Sequence, residues 1–457
     1  MNTSSATSHG WVGEPEGRGT WSILSTCLLT MLLCCWTSVC SNIPAKSDSY
    51  WTCVRDKVHL AALGILGPEF LLMVALGQWS SARESVKGFK KLNNQKRRGQ
   101  SDLTWTMTQA FYADMGGFLL DGPGIDAPFP IDAKQLLFLV ENKYLECPRL
   151  SQKDIEDWNK SDRVARCFAI CQGVWLMLNC ILRVSQGLAL TTLELTTVSF
   201  VIVFFATSFC WYYKPLDVTT THTLTLTTDI NAIRDKHCPP NHTEWYTNPL
   251  EFLYPKVYIM QLFWVYYNQI LYRMHCPIFS RLVTSRPYNR LPSDEFRHVD
   301  LLGEFLAGPT IVTFGGMFML GWRFHFPSAT ERILWHIAAS YTLGYSIAGC
   351  LCMKFCYEVI LLRYTRKKER ARSSATDAEA QAPKASLRCL AARARNLDPS
   401  EDLRLDIPLE ALVLISSLCA VYCLCRAYIL IEDFIGLRDL PASAFQTVEW
   451  SVYVPHL

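Results

Sequence analysis

Charge is scarce in this chain. Asp, Glu, Lys and Arg make up 19% of its 457 residues, against roughly 25% in an ordinary soluble protein. The net charge is only +3, too small to imply a nucleic-acid partner. Catalytic signatures are missing too: there is no Gly-X-Ser-X-Gly elbow, no phosphate-binding glycine loop and no HExxH. That argues against familiar hydrolase, nucleotide and zinc-peptidase chemistry, leaves unfamiliar chemistry open, and implies no cofactor.

Half the residues are apolar, and they are clustered. Trp21 to Cys40 carries no charge; a helix of about 20 residues spans roughly 30 Å, the thickness of a bilayer's hydrocarbon core. A signal peptide would have a shorter apolar core and a basic lead-in, whereas the only base before this run, Arg18, follows Glu14 and Glu16; the residues favour a retained helix. Further runs cover about Val58 to Trp79, Ala165 to Arg183, Leu190 to Tyr213, Glu304 to Trp322, Ile333 to Arg363 and Leu409 to Ile431. The expected fold is therefore an all-α, multi-pass transmembrane helical bundle of about seven spans with a small cytoplasmic helical insert. Many of the 19 cysteines lie inside these runs, Cys27, Cys34, Cys35, Cys171 and Cys180 among them. There they act as small hydrophobes rather than a disulfide framework.

The chain divides accordingly. Residues 1–18 are a polar segment; 19–79 hold spans 1 and 2; 80–164 are a basic loop and helical insert; 165–213 form the hairpin of spans 3 and 4. Residues 214–303 are a long loop, 304–363 carry spans 5 and 6, 364–408 are a flexible basic linker, 409–431 are span 7, and 432–457 are a tail. Within the insert, Leu103 to Leu120 reads as an amphipathic helix on the membrane surface. Asp132 can cap a helix running to Asn142, and Ser151 to Asp154 has capping-box spacing. In the long loop, Thr219 to Thr228 suits a short strand. Residues 257–272 are uncharged but short and crowded with Tyr and Trp, which suits a helix lying at the interface.

Orientation follows from the positive charges. Arg83, Lys87, Lys90, Lys91, Lys96, Arg97 and Arg98 follow the second span; Arg273, Arg281, Arg286, Arg290 and Arg297 precede the fifth; Arg363, Arg366, Lys367, Lys368, Arg370 and Arg372 follow the sixth. With seven spans these blocks share one side, the cytoplasm. The N-terminus and long loops would then be cytoplasmic and the tail outside. The sequon at Asn241 would remain bare.

Ionisable residues inside apolar runs are costly and often functional. Glu69 follows Gly67-Pro68, which suggests an ion or proton site at a broken helix; the plainer reading pairs it with Arg183 or Arg426. Arg426 lies near Glu432 and Asp433, where an ion pair locking the last helix is the plainer reading. Glu69, Arg183, Arg426 and Glu432 are thus the candidate ligand-binding residues. Glu194, Lys354 and Glu358 lie near span ends and read as interfacial. His237-Cys238, His242 and His275-Cys276 are too loosely spaced, with no CxxC, for a zinc site, so no metal is expected. His336, alone in its run, reads as a helix–helix hydrogen bond.

Several motifs taken together look familiar: Trp11 to Trp21, Trp105 to Phe118, Thr192 to Leu195, Lys214 to Asp217, Gly321 to Pro327 and Arg426 to His456. They resemble a large fungal family of multi-pass integral membrane proteins. The resemblance spans nearly the whole chain; it implies the architecture and a fungal origin, and it supplies no activity, substrate or catalytic residue. Three functions are left. The first is a structural or scaffolding membrane protein whose cytoplasmic loops bind protein partners or anionic lipid. The second is a transporter or channel using Glu69 and Arg426. The third is an intramembrane enzyme resting on His336.

Overall fold

The computed structural model describes residues 7–13, 17–96, 105–148, 160–238, 245–254, 257–355 and 407–450, with positions 359 and 363. The capping spacing at Ser151, Arg97, Arg98, Asn241, Glu358 and most of the basic linker lie outside the described residues.

The chain is mostly helical. In order come α1 (Thr20–Ser38), α2 (Tyr50–Leu66), α3 (Pro68–Lys96), α4 (Met107–Asp114), α5 (Ala133–Glu141), α6 (Lys160–Ser185) and α7 (Thr192–Cys210). Then follow α8 (Ile230–His237), α9 (Ile259–Arg273), α10 (Leu301–Leu320), α11 (Ala329–Phe355) and α12 (Leu409–Ile435). Among the described residues five of these, α1, α6, α7, α10 and α12, contain stretches long and apolar enough to cross a membrane. A sixth is reached only if α2 and α3 count as one span.

That pair is broken where the sequence places Gly67-Pro68. Gly67 ends α2, and Pro68, which cannot donate to the preceding turn, opens α3 at the first helical position, where proline fits. The two helices are bent by 119°, so the chain turns back instead of running on from Val58 to Trp79.

The bundle is apolar outside as well as inside. Leu29, Phe168, Trp175, Ile181, Phe305, Ile337, Leu351, Val413 and Leu424 are all exposed, far more contiguous apolar surface than a water-soluble monomer shows. α7 is the central helix, packed against α1, α3, α6, α10 and α12. Small residues let neighbours approach closely: a Cβ on Gly315 of α10 would lie 2.4 Å from Ser346 Oγ of α11.

Cross-chain contacts give the bundle two unlike ends. At one, strand β1 (Thr7–His9) pairs antiparallel with β5 (Asp439–Pro441), Arg18 pairs with Glu194 at the start of α7, and Arg438 pairs with Glu331 at the start of α11. The first and last segments thus share this terminal end. At the other end gather the long loops. Asn42 Nδ2 donates to Pro292 O at 2.8 Å, Arg281 bridges Asp48 and Asp56, and Arg83 pairs with Asp300.

The insert is not the expected helical unit. Leu103 to Leu120 does not form one surface helix: α4 is buried from Thr108 to Asp114, and after Gly116-Gly117 the chain turns into β2 (Phe118–Asp121). β2 pairs antiparallel with β3 (Phe129–Ile131) and parallel with β4 (His222–Thr225). The Thr-rich tract thus supplies a strand that joins two loops far apart in sequence. α9 packs Ile259, Leu262 and Phe263 on Ile407, Ala411, Leu412 and Ile415 at the start of α12.

Candidate functional site

The fold-back at Gly67-Pro68 carries Glu69, in the first turn of α3, into the bundle. It is 6% exposed, and a helix N-terminus favours a carboxylate there. Tyr422 of α12 donates its hydroxyl to Glu69 Oε1. Oε2 has no hydrogen-bond partner among the described residues. Tyr422 is itself held edge-on to Phe70 and stacked on Tyr345, 4.5 Å between ring centres.

One turn beyond Tyr422 lies Arg426, 3% exposed. None of its three guanidinium nitrogens has a hydrogen-bond partner among the described residues. Instead it sits over Phe314 at 5.0 Å, Phe318 at 5.1 Å and Phe200 at 5.7 Å from the ring centres. Aromatic faces attract a desolvated cation by about 2 kcal/mol or more. Its charge is opposed by Glu69 and by Asp433, and Asp433 lies beside Thr192 and Thr196 of α7. Tyr422, Arg426 and Asp433 share one face of α12, since steps of four and seven residues return to the same side of a helix. The arrangement is a line of carboxylate, guanidinium and carboxylate that act on one another through space, with no hydrogen bond joining them among the described residues.

Of the four sequence candidates, Glu69 and Arg426 are brought together. Glu432 is not in that line. It lies 2% exposed on the side of α12 facing a cavity of about 390 Å³ at the terminal end. Its Oε2 accepts from Tyr428 at 3.2 Å, while Oε1 has no partner among the described residues. Arg183 is elsewhere again. Its guanidinium donates to Gln446 O at 2.7 Å, Ala189 O at 2.9 Å, Ala444 O at 2.9 Å and Ser443 O at 3.1 Å. It fastens the C-terminal segment to the α6–α7 turn and meets no carboxylate of the Glu69 line.

Glu194 closes a capping box with Thr191 at the start of α7, as the Thr-Thr-Leu-Glu spacing permits. His336 contacts Trp322 O at 3.0 Å and stacks on the Trp322 ring. An open apolar groove of about 710 Å³ runs beside it, past Tyr341, Gly344 and Tyr345. His237 hydrogen-bonds Tyr144 at 3.0 Å. Among the described residues no group of three or more His, Cys, Asp or Glu could hold a metal ion.

Sequence reasoning missed Lys214, just past the end of α7. It is 2% exposed and donates to Cys40 O at 2.8 Å, Gln78 Oε1 at 2.8 Å and Asn42 Oδ1 at 3.1 Å. Burial among these neutral acceptors pushes its ammonium down to about 8. The signal was weak: a lysine directly after an aromatic belt reads as an interfacial anchor.

A family model described as a family of unknown function (DUF8562) matches residues 1–234 and 296–457. No curated protein and no solved structure matches the chain.

Proposed function

Because the chain belongs to this family of unknown function, its role has to be read from its own geometry, and we propose an integral membrane platform that crosses the bilayer six times. The crossings are α1, α6, α7, α10, α11 and α12. α11 is included because its 27 residues, about 40 Å of helix, are packed between α10 and α12. α2 and α3 enter from the loop end and return to it as a re-entrant hairpin, tolerated because the turn is buried in protein. An even count replaces the expected seven and agrees with the β1–β5 pairing. The loop end carries the basic blocks and is the cytoplasmic side. The first and last segments then face away from the cytoplasm, which reverses the expectation for the first. The family resemblance extends the reading to a fungal source. A glycan on the Asn2 acceptor sequence and none on Asn241 is the expected pattern; a glycan on Asn241 would overturn the orientation.

The observation that carries the platform reading is the parallel pairing of β2 with β4. Two loops separated by the α6–α7 hairpin fold into one cytoplasmic module, and Lys87, Lys90 and Lys91 are exposed beside it. Such a module suits protein partners or anionic lipid. Reversing the three lysines to Glu is expected to change both the native complex size and the localisation of the protein in its membrane. If neither changed, the platform reading would be lost.

A second reading, a transporter or channel, is favoured by the unpartnered Glu69 Oε2 facing Arg426 at the re-entrant tip. Neither cavity described above is lined by those residues, which supports a locking role for them instead. Ion or proton flux through proteoliposomes that drops with Glu69→Gln would favour transport; unchanged flux removes Glu69 from any such mechanism. An intramembrane enzyme built on His336 draws no support from a ring held by Trp322.

A further inference from the structure

Four helix ends meet at the terminal end around the 390 Å³ cavity: the end of α6, the start of α7, the end of α10 and the end of α12. Its walls are apolar at Val184, Leu188 and Leu440. Its polar lining is Thr191, Thr192, Arg323, Glu432 and His325, the last already in contact with Asp439. Glu432 presents a carboxylate whose Oε1 is unpartnered among the described residues, on a residue only 2% exposed. Gly436 leaves space against it: a Cβ there would stand 3.5 Å from Glu432 Oε1 and 3.7 Å from Thr192 Oγ1. Arg323 lines the same cavity and is exposed.

We infer that this cavity binds a primary ammonium group carried on a phosphate, with the ammonium donating to Glu432 Oε1 and Thr192 Oγ1 and the phosphate against Arg323. An unpaired buried carboxylate is costly, and a charged donor is the partner that relieves it. The space beside Gly436 suits N–H donors; a trimethylammonium group has none to offer. The apolar walls and the position at the end of the helices suit the headgroup of an aminophospholipid in the non-cytoplasmic leaflet. The inference rests on the reading of the bundle as membrane-embedded. The same chemistry could come from soluble phosphoethanolamine, so the test separates the two sources.

Full-length protein is reconstituted into phosphatidylcholine nanodiscs holding one tenth phosphatidylethanolamine or one tenth phosphatidylglycerol, and protein-bound lipid is counted by native mass spectrometry. Phosphatidylethanolamine is expected to be retained about tenfold over phosphatidylcholine, the effect of one charged hydrogen bond, and phosphatidylglycerol not at all. Glu432→Gln should abolish the preference. Gly436→Val, which fills the space without removing a charge, should do the same and covers the case in which Glu432→Gln misfolds. Equal retention of the lipids by the wild type, or an unchanged preference in both variants, would overturn the site. Thermal protection by soluble phosphoethanolamine matching that by the lipid would support the site and assign it to a free ligand. Failure of the protein to enter nanodiscs at all would instead count against the membrane reading, a separate readout.

Discussion

Arg183 and Arg426 are equally hidden, each 3% exposed and each within a long apolar helix, yet their surroundings are opposite. Arg183 donates through its two terminal nitrogens to four backbone carbonyls, three of them on the segment it holds, and only its Nε lacks a partner among the described residues. Arg426 makes no hydrogen bond among the described residues and is surrounded by phenyl rings and opposing charge. A guanidinium has five donors in a fixed fork. Beside a turn and an irregular segment, where carbonyls are left over, most of that fork can be met by backbone. In mid-bundle the carbonyls are already used by the helices, so the cation can be balanced only by side chains. Arg183 therefore acts as a clamp on the segment near residue 444, and Arg426 as the centre of a charge line.

The widest gap between them should open when each is replaced by Met. Arg426→Met removes the cation whose field opposes Glu69 and Asp433; breaking a directly bonded buried pair costs about 3–5 kcal/mol, which is the upper bound for this loss. The loss should be spread over the bundle and read as a lower melting point in detergent. Adding Glu69→Gln and Asp433→Asn should restore much of it. If the triple variant melted no higher than Arg426→Met alone, the line of charge would not be what Arg426 serves.

Lys214 is a third buried cation, held by neutral acceptors at the loop end, and it gives the comparison a pH handle. Its folded pKa, about 8, lies below its ordinary 10.5. Between those values the unfolded chain keeps a proton that the folded chain releases, so stability rises with pH through that window. The gain is about 2–3 kcal/mol at 1.36 kcal/mol per pH unit. Melting curves at pH 7.5 and 9.5 should show a rise in the wild type that Lys214→Met lacks; identical slopes in the two would mean Lys214 is not held charged and dry.

Arg183→Met should cost less, about 1.5–3 kcal/mol, the worth of hydrogen bonds to a charged group. The loss should be local, because the carbonyls it frees lie at an end that water can reach. Hydrogen exchange should speed up in residues 439–446 and in the paired strand at 7–9, with little change at α7. Uniform acceleration would mean that Arg183 supports the core and the distinction drawn above fails.

The apolar helices were legible in the sequence because a long run without charge is at home in few places besides a bilayer. The second apolar run was legible only in part. Gly67-Pro68 was visible as a disruption, but whether the chain kinks onward or folds back depends on what Pro68 and Glu69 pack against. Arg426 stands near both Glu432 and Asp433 in the sequence, and the two are not equivalent. A step of six residues, Arg426 to Glu432, lands about a third of a turn away, whereas seven, to Asp433, returns to the same face. That arithmetic was available. The phenyl cage was not, since Phe200, Phe314 and Phe318 read as ordinary core until α7, α10 and α12 are set side by side. Nor was the module: β2 and β4 lie about a hundred residues apart, and nothing local in either announces a parallel partner.

The smallest effect should come from a cation whose carboxylate partner remains wet. Lys57 meets Asp217 at 3.1 Å, but the Asp217 side chain is 51% exposed. Pairs of this kind contribute about 0–1 kcal/mol and weaken with salt. Lys57 also stands 5.3 Å from the Trp36 ring centre, the same aromatic partnership that Arg426 has three times over. Asp217→Asn is therefore expected to shift the melting point by little, and by less again in high salt, while Arg426→Met keeps its full effect at any ionic strength. If Asp217→Asn proved as damaging as Arg426→Met, the depth at which a cation is buried would not decide what its partners are worth. In that case the contrast between wet and dry ion pairs would have to give way to one based on the elements they join, since Lys57 ties α2 to the chain leaving α7.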